Sequence, residues 1–201
     1  MLKVGLTGGL ACGKTFVGEA LASYGCFLIR ADELGREAEA PGGEAYEPVI
    51  AEFGREILAP DGQIDRRRLA ARVFEDPQAL ARLNALVHPA VLRREERLIA
   101  EYVAREPRGI VVVEAAILIE TGSYRRFDRL ILVACSEEQQ VERSMHRDGV
   151  AEAEVRARLS RQMPLSEKRK FADFVIDTSG AKEDTLRQTR AVYEKLRRIE
   201  L

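Results

Sequence analysis

The 201-residue chain has few of the residues that staple small folds. Its three cysteines, at positions 12, 26 and 135, form no CxxC pair, and it has two histidines. That is too little, and too scattered, for a disulfide framework or a structural zinc site. Such usage fits a reducing cytosol. No apolar stretch approaches the ~18 residues needed to span a bilayer. Met1 to Thr7 lead straight into a glycine loop, without the apolar region or cleavage site of a signal peptide, so a cytoplasmic location is expected. An excess of either charge is also missing: 32 Lys plus Arg face 33 Asp plus Glu, a net charge of −1. Coating nucleic acid or an anionic membrane needs net or clustered positive charge, so neither is expected as a partner. With 46% hydrophobic residues and a net charge near zero, disorder is excluded. The length suits one domain, or one core carrying small insertions.

The apolar runs that are present are short. Residues 2–7, Cys26-Phe27-Leu28-Ile29, Ile110-Val111-Val112-Val113, Leu130-Ile131-Leu132-Val133 and Phe174-Val175-Ile176 read as buried strands. Residues 14–23 are helical in pattern, with Phe16, Val17, Ala20 and Leu21 on one face, and a terminal helix is expected over 181–199. Continuous apolar strands separated by helices predict an α/β fold whose parallel sheet is covered on both faces. Residues 31–105 contain no convincing strand and read as a helical insertion, broken at Pro41-Gly42-Gly43, at Pro60-Asp61-Gly62 and near Pro77 and Pro89. A second, smaller helical insertion spans 137–171, interrupted at Gly149 and Pro164.

The most informative segment is Gly8-Gly9-Leu10-Ala11-Cys12-Gly13-Lys14-Thr15, which matches G-x-x-x-x-G-K-[ST] at every fixed position. Glycines let successive backbone N–H groups turn inward toward phosphate oxygens. The following helix then presents its free N–H groups and positive dipole end to the same anion. Lys14 can reach the outer phosphates, and the Thr15 hydroxyl can ligate Mg²⁺. The motif lies between a predicted strand and a predicted helix, as this mechanism requires. By itself it does not separate a kinase from a GTPase, a motor or a switch; no Asn-Lys-x-Asp guanine-reading motif occurs.

Phosphoryl transfer to a hydroxyl also needs metal ligation and a carboxylate that takes the proton. Asp32 follows the second strand, near the strand C-termini where parallel sheets open their ligand crevice; the same position suits a helix N-cap. Glu114 ends the third strand, where a Walker B acid would assist Mg²⁺; a polar strand end is the alternative. Cys12 lies inside the loop, beside a helix N-terminus and near Lys14, both of which lower a thiol pKa. That predicts a reactive thiol shielded by nucleotide, or else simply a small residue where Ser is common.

Several segments, taken in order, resemble the dephospho-CoA kinase family. They are Val4-Gly5-Leu6-Thr7-Gly8-Gly9 with Gly13-Lys14-Thr15, then Ala31-Asp32, Asp65-Arg66, Leu69, Val73-Phe74 and Val87-His88-Pro89. Leu118-Ile119-Glu120, Arg143, Arg147-Asp148, Arg158, Gln162-Met163-Pro164, Lys168, Ala172-Asp173, Ile176-Asp177 and Ser179-Gly180 complete the series. The resemblance implies a P-loop kinase core (1–34, 106–136 and 172–201), a helical domain for the CoA substrate (35–105) and a small helical lid (137–171). It implies ATP-dependent phosphorylation of the ribose 3′-hydroxyl of dephospho-CoA, with Mg²⁺ and no obligate protein partner. Lys14, Asp32 and Arg143 would then be catalytic. The loop from Gly8 to Thr15, with Phe16, Arg143, Arg147 and Gly180, would hold the nucleotide. Asp32, Arg66, His88 and Leu118 would meet the acceptor.

The sequence departs from the family at Arg30, where the first acid of its Asp-Ala-Asp segment is usual, at Ala116 for Pro, at Thr178 for Asn and at Phe16 for a second hydroxyl residue. Arg143 and Arg147, four apart, share one helical face. Pattern alone would make that face merely solvated, because Glu137, Glu138, Glu142 and Asp148 accompany them. Arg66-Arg67-Arg68 could hold the acceptor's pyrophosphate or be a solvated helix start. A nucleoside or nucleoside-monophosphate kinase, and a nucleotide switch without transferase activity, are the alternatives to this function.

Overall fold

The structure is a computed structural model. It describes residues 1–74 and 76–199, with only the backbone of Phe74. The domain limits expected above at 201 and the segment around Glu75 therefore fall partly outside the described residues. The chain divides into two compact units, residues 1–29 with 102–201, and residues 30–101.

The first unit is built on a five-stranded sheet: β1 (Leu2–Gly8), β2 (Phe27–Arg30, whose last residue opens the second unit), β3 (Ile110–Glu114), β4 (Arg129–Ala134) and β5 (Phe174–Asp177). The strand order is β2-β3-β1-β4-β5. β1 runs parallel to both β3 and β4, and β4 runs parallel to β5. β1 is therefore central, and its successive side chains serve two faces. Leu2, Val4 and Leu6 join Val112, Ile131, Val133 and Ile176 in one cluster, together with Val17 and Leu21 of α1 (Lys14–Ser23) and Val192 and Leu196 of α9 (Lys182–Arg197). On the other face Gly5 leaves room for Leu118, Phe127 and Leu130; an added Cβ would sit 2.9–3.0 Å from each. β3 is buried along its whole length and β4 from its second residue on, as expected of strands covered on both sides.

Residues 137–171 fold into α6 (Glu137–Asp148), α7 (Glu152–Leu159) and α8 (Leu165–Lys168), followed by a short 3₁₀ turn. A capping box starts α6: the Ser136 hydroxyl accepts from the Gln139 N–H, and the Gln139 side chain accepts from the Ser136 N–H. Gly149, in the left-handed conformation at φ 65°, ends it.

The second unit holds α2 (Ala31–Ala38), α3 (Tyr46–Phe53), α4 (Arg66–Phe74) and most of α5 (Pro77–Arg105). Its core is Val49, Phe53, Ile57, Leu69, Val73, Ala79 and Ala90, with Leu83, Leu86 and Val87 packed against it. Pro89, read above as a break, lies inside the 29-residue α5. An interior proline costs ~3 kcal/mol through a lost hydrogen bond and a ring clash. Here the burial of Ala79, Leu83, Leu86, Val87 and Ala90 on both sides of it offsets that cost. Pro77 opens the helix instead of interrupting it, because its missing N–H is an orphan in the first turn anyway.

Candidate active site

The site grows from the strand register. Gly8 pairs with Val133, and Leu6 pairs with Glu114. The C-terminal ends of β1, β3 and β4 thus converge where the order of connections reverses, the place where open α/β sheets bind ligands. At Gly8 a Cβ would lie 2.4 Å from the Val133 carbonyl oxygen, and at Gly9 the same distance from the Gln140 side-chain oxygen. Glycine is therefore required at Gly8, where the blocking atom is backbone, whereas at Gly9 the Gln140 side chain would have to move. Gly13 precedes α1 with φ 83°, a left-handed conformation suited to glycine. Ala11 also has positive φ, at 52°, which holds ~1 kcal/mol or more of local strain in the loop.

Lys14 opens α1, and its ammonium donates back to the Gly9 carbonyl at 3.1 Å. Thr15 is exposed at the loop mouth, and its hydroxyl donates to Glu114 Oε1 at 3.1 Å. Glu114 is 8% exposed at the end of β3. One hydroxyl and one carboxylate form a hard oxygen set of the kind Mg²⁺ uses when phosphates and waters complete its shell. No cluster of three or more His, Cys, Asp or Glu that could cage a metal alone occurs among the described residues. The residues present fit a metal held jointly with nucleotide phosphates. Phe16 is half-buried in α1, with the Lys182 ammonium 5.9 Å from its ring centre. Gly180 lies in the loop between β5 and α9, where a Cβ would meet Asp184 Oδ2 at 3.3 Å.

Thr178, noted above only as a departure, is a junction. It is 6% exposed, and its hydroxyl donates to the Cys12 carbonyl at 2.9 Å, with the Ala134 carbonyl at 3.3 Å. Arg143 of α6 donates to the Thr178 hydroxyl at 3.2 Å and to its carbonyl at 2.7 Å. The phosphate loop, the end of β4 and α6 are thereby tied through one side chain. Arg147 instead grips its neighbour Asp148 at 2.7 and 3.0 Å, and Arg158 adds a 3.3 Å contact. The hydrogen bonds from Arg147, then the charges of both arginines, hold the Asp148 carboxyl below the usual range.

A second tie joins the segment after α7 to the loop. The Leu10 N–H donates to the Gln162 side-chain oxygen at 3.2 Å. Next to it the Met163 N–H approaches Glu120 at 3.4 Å, and Glu120 pairs with Lys168 at 2.8 Å. Lys168 is fully buried and reaches the Ala116 carbonyl at 3.5 Å. That carbonyl also accepts from the Thr7 hydroxyl at 3.1 Å. Gln162, Glu120 and Lys168 belong to the family-like segments quoted above, yet nothing in their spacing indicated a shared network; their partners come from other elements.

Cys12 is not presented at the loop surface. Its thiol is 0% exposed and does not face solvent; it lies 3.3 Å from the Cys135 sulfur. Its pKa is lowered to about 7, first by the hydrogen bond from Cys135, against the opposing effect of burial, with Lys14 a smaller contributor. The Cys135 thiol is correspondingly pushed up. Leu118, expected to meet the acceptor, is 5% exposed and packs beneath β1.

The other expected acceptor residues belong to the second unit. Asp32 is exposed in the first turn of α2; Arg30 occupies the N-cap position, so Asp32 is not the cap. Arg66 opens α4 and pairs with Glu39 at 3.2 Å. Burial raises the Glu39 pKa, and Arg66 acts against that rise. His88 is exposed on α5, immediately before Pro89.

A parallel sheet of this order, with a phosphate loop after its central strand and a Thr–Glu pair at the loop mouth, defines the class: a P-loop kinase fold. The comparisons name the family within that class. A family model described as dephospho-CoA kinase matches residues 2–184, and the chain belongs to that family. It is 42% identical over 198 residues to a dephospho-CoA kinase of Thermobifida fusca, covering 98% of each chain. It is 42% identical over 195 residues to one of Geobacter metallireducens, covering 97% of this chain and 96% of that one. A solved structure of a Thermus thermophilus protein superposes with a TM-score of 0.82 at 36% identity over 97% of both chains.

Proposed function

We propose that the chain transfers the γ-phosphoryl group of ATP to the ribose 3′-hydroxyl of dephospho-CoA, giving coenzyme A. The observation that carries this reading is the Thr15 hydroxyl held 3.1 Å from Glu114 at the mouth of a phosphate loop, in a chain of this family.

In this reading the loop amides from Gly9 to Thr15 and the Lys14 ammonium hold the phosphates, a task for which their convergence at one helix N-terminus is suited. Thr15 and Glu114 would hold Mg²⁺, which when bound supplies positive charge to the β- and γ-phosphates. Arg143 turns from Thr178 toward the transferring group and stabilises its charge. Asp32 accepts the proton as the 3′-oxygen bonds to phosphorus and the bond to ADP breaks. Arg66 binds the acceptor's pyrophosphate in place of Glu39, and His88 is an acceptor-side contact. Arg147 leaves Asp148 to meet the nucleotide. Residues 137–171 close as a lid that excludes water and so limits hydrolysis. Residues 35–105, most of which lie in the compact unit 30–101, form the acceptor domain, and the cytoplasm is the location. No helix among the described residues is long and apolar enough to cross a membrane.

The test is ADP release with and without dephospho-CoA, for wild type and Asp32→Asn. Wild-type release should depend on the acceptor, and Asp32→Asn should lower it by ~10²–10⁴-fold. Preference for a nucleoside or nucleoside monophosphate over dephospho-CoA would refute the acceptor. Nucleotide binding without acceptor-dependent release would refute the transferase reading.

A further inference from the structure

The phosphate loop contains a second chemistry that phosphoryl transfer does not use. Cys12 and Cys135 are 123 residues apart in sequence, and their sulfurs are 3.3 Å apart beneath the loop. We propose that Cys12 and Cys135 form a site of reversible disulfide formation, driven by a peroxide, that withdraws the phosphate loop from nucleotide. The proposal rests on the nucleotide reading above for its consequence but not for its chemistry.

The geometry supplies the pair ready-made. A disulfide needs its sulfurs at ~2.05 Å, so closure asks for a movement of roughly 1.2 Å from the 3.3 Å observed. Neither sulfur is held within a strand or helix: Cys12 is on the loop, and Cys135 follows Ala134, the last residue of β4, just before exposed Ser136. Leu10, Ala11, Gly13 and Lys14, the loop neighbours of Cys12, are partly exposed, and Cys135 itself is 9% exposed. Hydrogen peroxide is close to water in size and needs only a small opening to enter.

The two thiols are chemically unequal. Cys12 is the more acidic: it accepts the Cys135 hydrogen bond and lies beside Lys14 and the N-terminus of α1, whereas donating that bond and burial push Cys135 up, with Arg143 and Thr178 acting against the rise. Cys12 is therefore the attacking thiolate. Its sulfur bonds to one peroxide oxygen, the O–O bond breaks, and hydroxide leaves, giving a sulfenic acid. The Cys135 thiol gives its proton to hydroxide, and its sulfur displaces the second hydroxyl from Cys12, which departs as water after taking a proton from solvent. In sum, two thiols and one peroxide give one disulfide and two waters. Cys26 is the internal control: it is buried, and burial pushes its thiol up to about 12.

The consequence follows from what else Cys12 holds. Its carbonyl accepts from Thr178, and its N–H points to the Gly9 carbonyl at 3.4 Å. Its sulfur is also the second-nearest atom, at 3.0 Å, to a Cβ placed on Gly9. Drawing that sulfur toward β4 displaces the loop amides from the positions phosphate requires, and misplacement on this scale costs catalysis ~10²-fold.

The experiment treats the full chain with excess hydrogen peroxide, then reads the thiol count, the disulfide-linked peptide, nucleotide affinity and acceptor-dependent ADP release. Two thiols should disappear, a peptide joining Cys12 to Cys135 should appear, Cys26 should stay reduced, and nucleotide Kd should rise at least tenfold. Dithiothreitol should restore all of these. Cys135→Ser should keep basal turnover within about twofold and show no dithiothreitol-reversible loss; Cys135→Ala is the second variant should the first not fold. Absence of the linked peptide overturns the site. A linked peptide with unchanged nucleotide affinity overturns the withdrawal of the loop. Failure of the kinase reading would show instead as absent turnover in the reduced, untreated chain, with the peptide map unaffected.

Discussion

Lys168 is the largest fully buried side chain among the described residues, and it is charged. Its ammonium lies 2.8 Å from Glu120 and 3.5 Å from the Ala116 carbonyl. Lys168→Met keeps the length of the side chain and removes the charge. Breaking a fully buried ion pair from one side costs ~3–5 kcal/mol, because the partner charge is left desolvated. Glu120 retains 22% side-chain exposure and the approach of the Met163 N–H, so part of that penalty is relieved by water. The Ala116 carbonyl keeps the Thr7 hydroxyl. The expected cost is therefore about 2–3 kcal/mol. For a chain of this size 1 kcal/mol moves Tm by ~2–4 °C, so a fall of roughly 5–10 °C is expected. Removing both charges is close to neutral when the replacements pack, so Lys168→Met with Glu120→Leu should recover at least half of the loss. Thermal melts of the four proteins, with amide exchange followed over 162–171, measure this. A single variant within ~1 °C of wild type, or a double variant no better than the sum of the singles, would refute the reasoning.

Other consequences can be measured directly. Gly8→Ala would place a Cβ 2.4 Å from the Val133 carbonyl oxygen, and should destabilise by ~1–3 kcal/mol in denaturant titration while weakening nucleotide binding in calorimetry. Thr15→Val keeps the β-branched shape but removes the hydroxyl that donates to Glu114; kcat/KM should fall by ~10²-fold in steady-state assays, with the fold intact by circular dichroism. Asp148 is depressed mainly by Arg147, so its contribution to stability is present above the ordinary carboxylate range and is lost as pH falls through the lowered value. Arg147→Gln should flatten the acid limb of the stability–pH curve below about pH 4, an effect that high salt reduces because the pair is largely exposed.

Much of the core was legible because its signals are local. The apolar runs mark the strands to within one or two residues, and the glycine loop with Lys14 and Thr15 sits between β1 and α1 as the phosphate mechanism requires. Pro89 was misread because propensity weighs the missing N–H but not the packing of Leu86, Val87 and Ala90 around it. Leu118 is ambiguous for a related reason. A leucine after a strand looks the same in sequence whether it lines a ligand or fills the gap that Gly5 leaves. Asp32 could be read as a cap because Asp favours that position; α2 begins one residue after Arg30, and this shift puts Asp32 inside the first turn.

The sequence alone determined the loop chemistry, the family and the alternation of strands and helices, because each depends on neighbours within a few residues or on motifs kept in order. Only the tertiary structure decided which distant groups meet. Thr178 reaches Cys12, Arg143 reaches Thr178, Lys168 reaches Glu120, and Cys12 meets Cys135. The contacts among Cys12, Cys135, Arg143 and Thr178 follow from the register of β1, β4 and β5, and the Lys168–Glu120 pair from the packing of α8. Parallel strands can bring their C-terminal ends together only through long crossovers, so the residues that meet there are far apart in the chain.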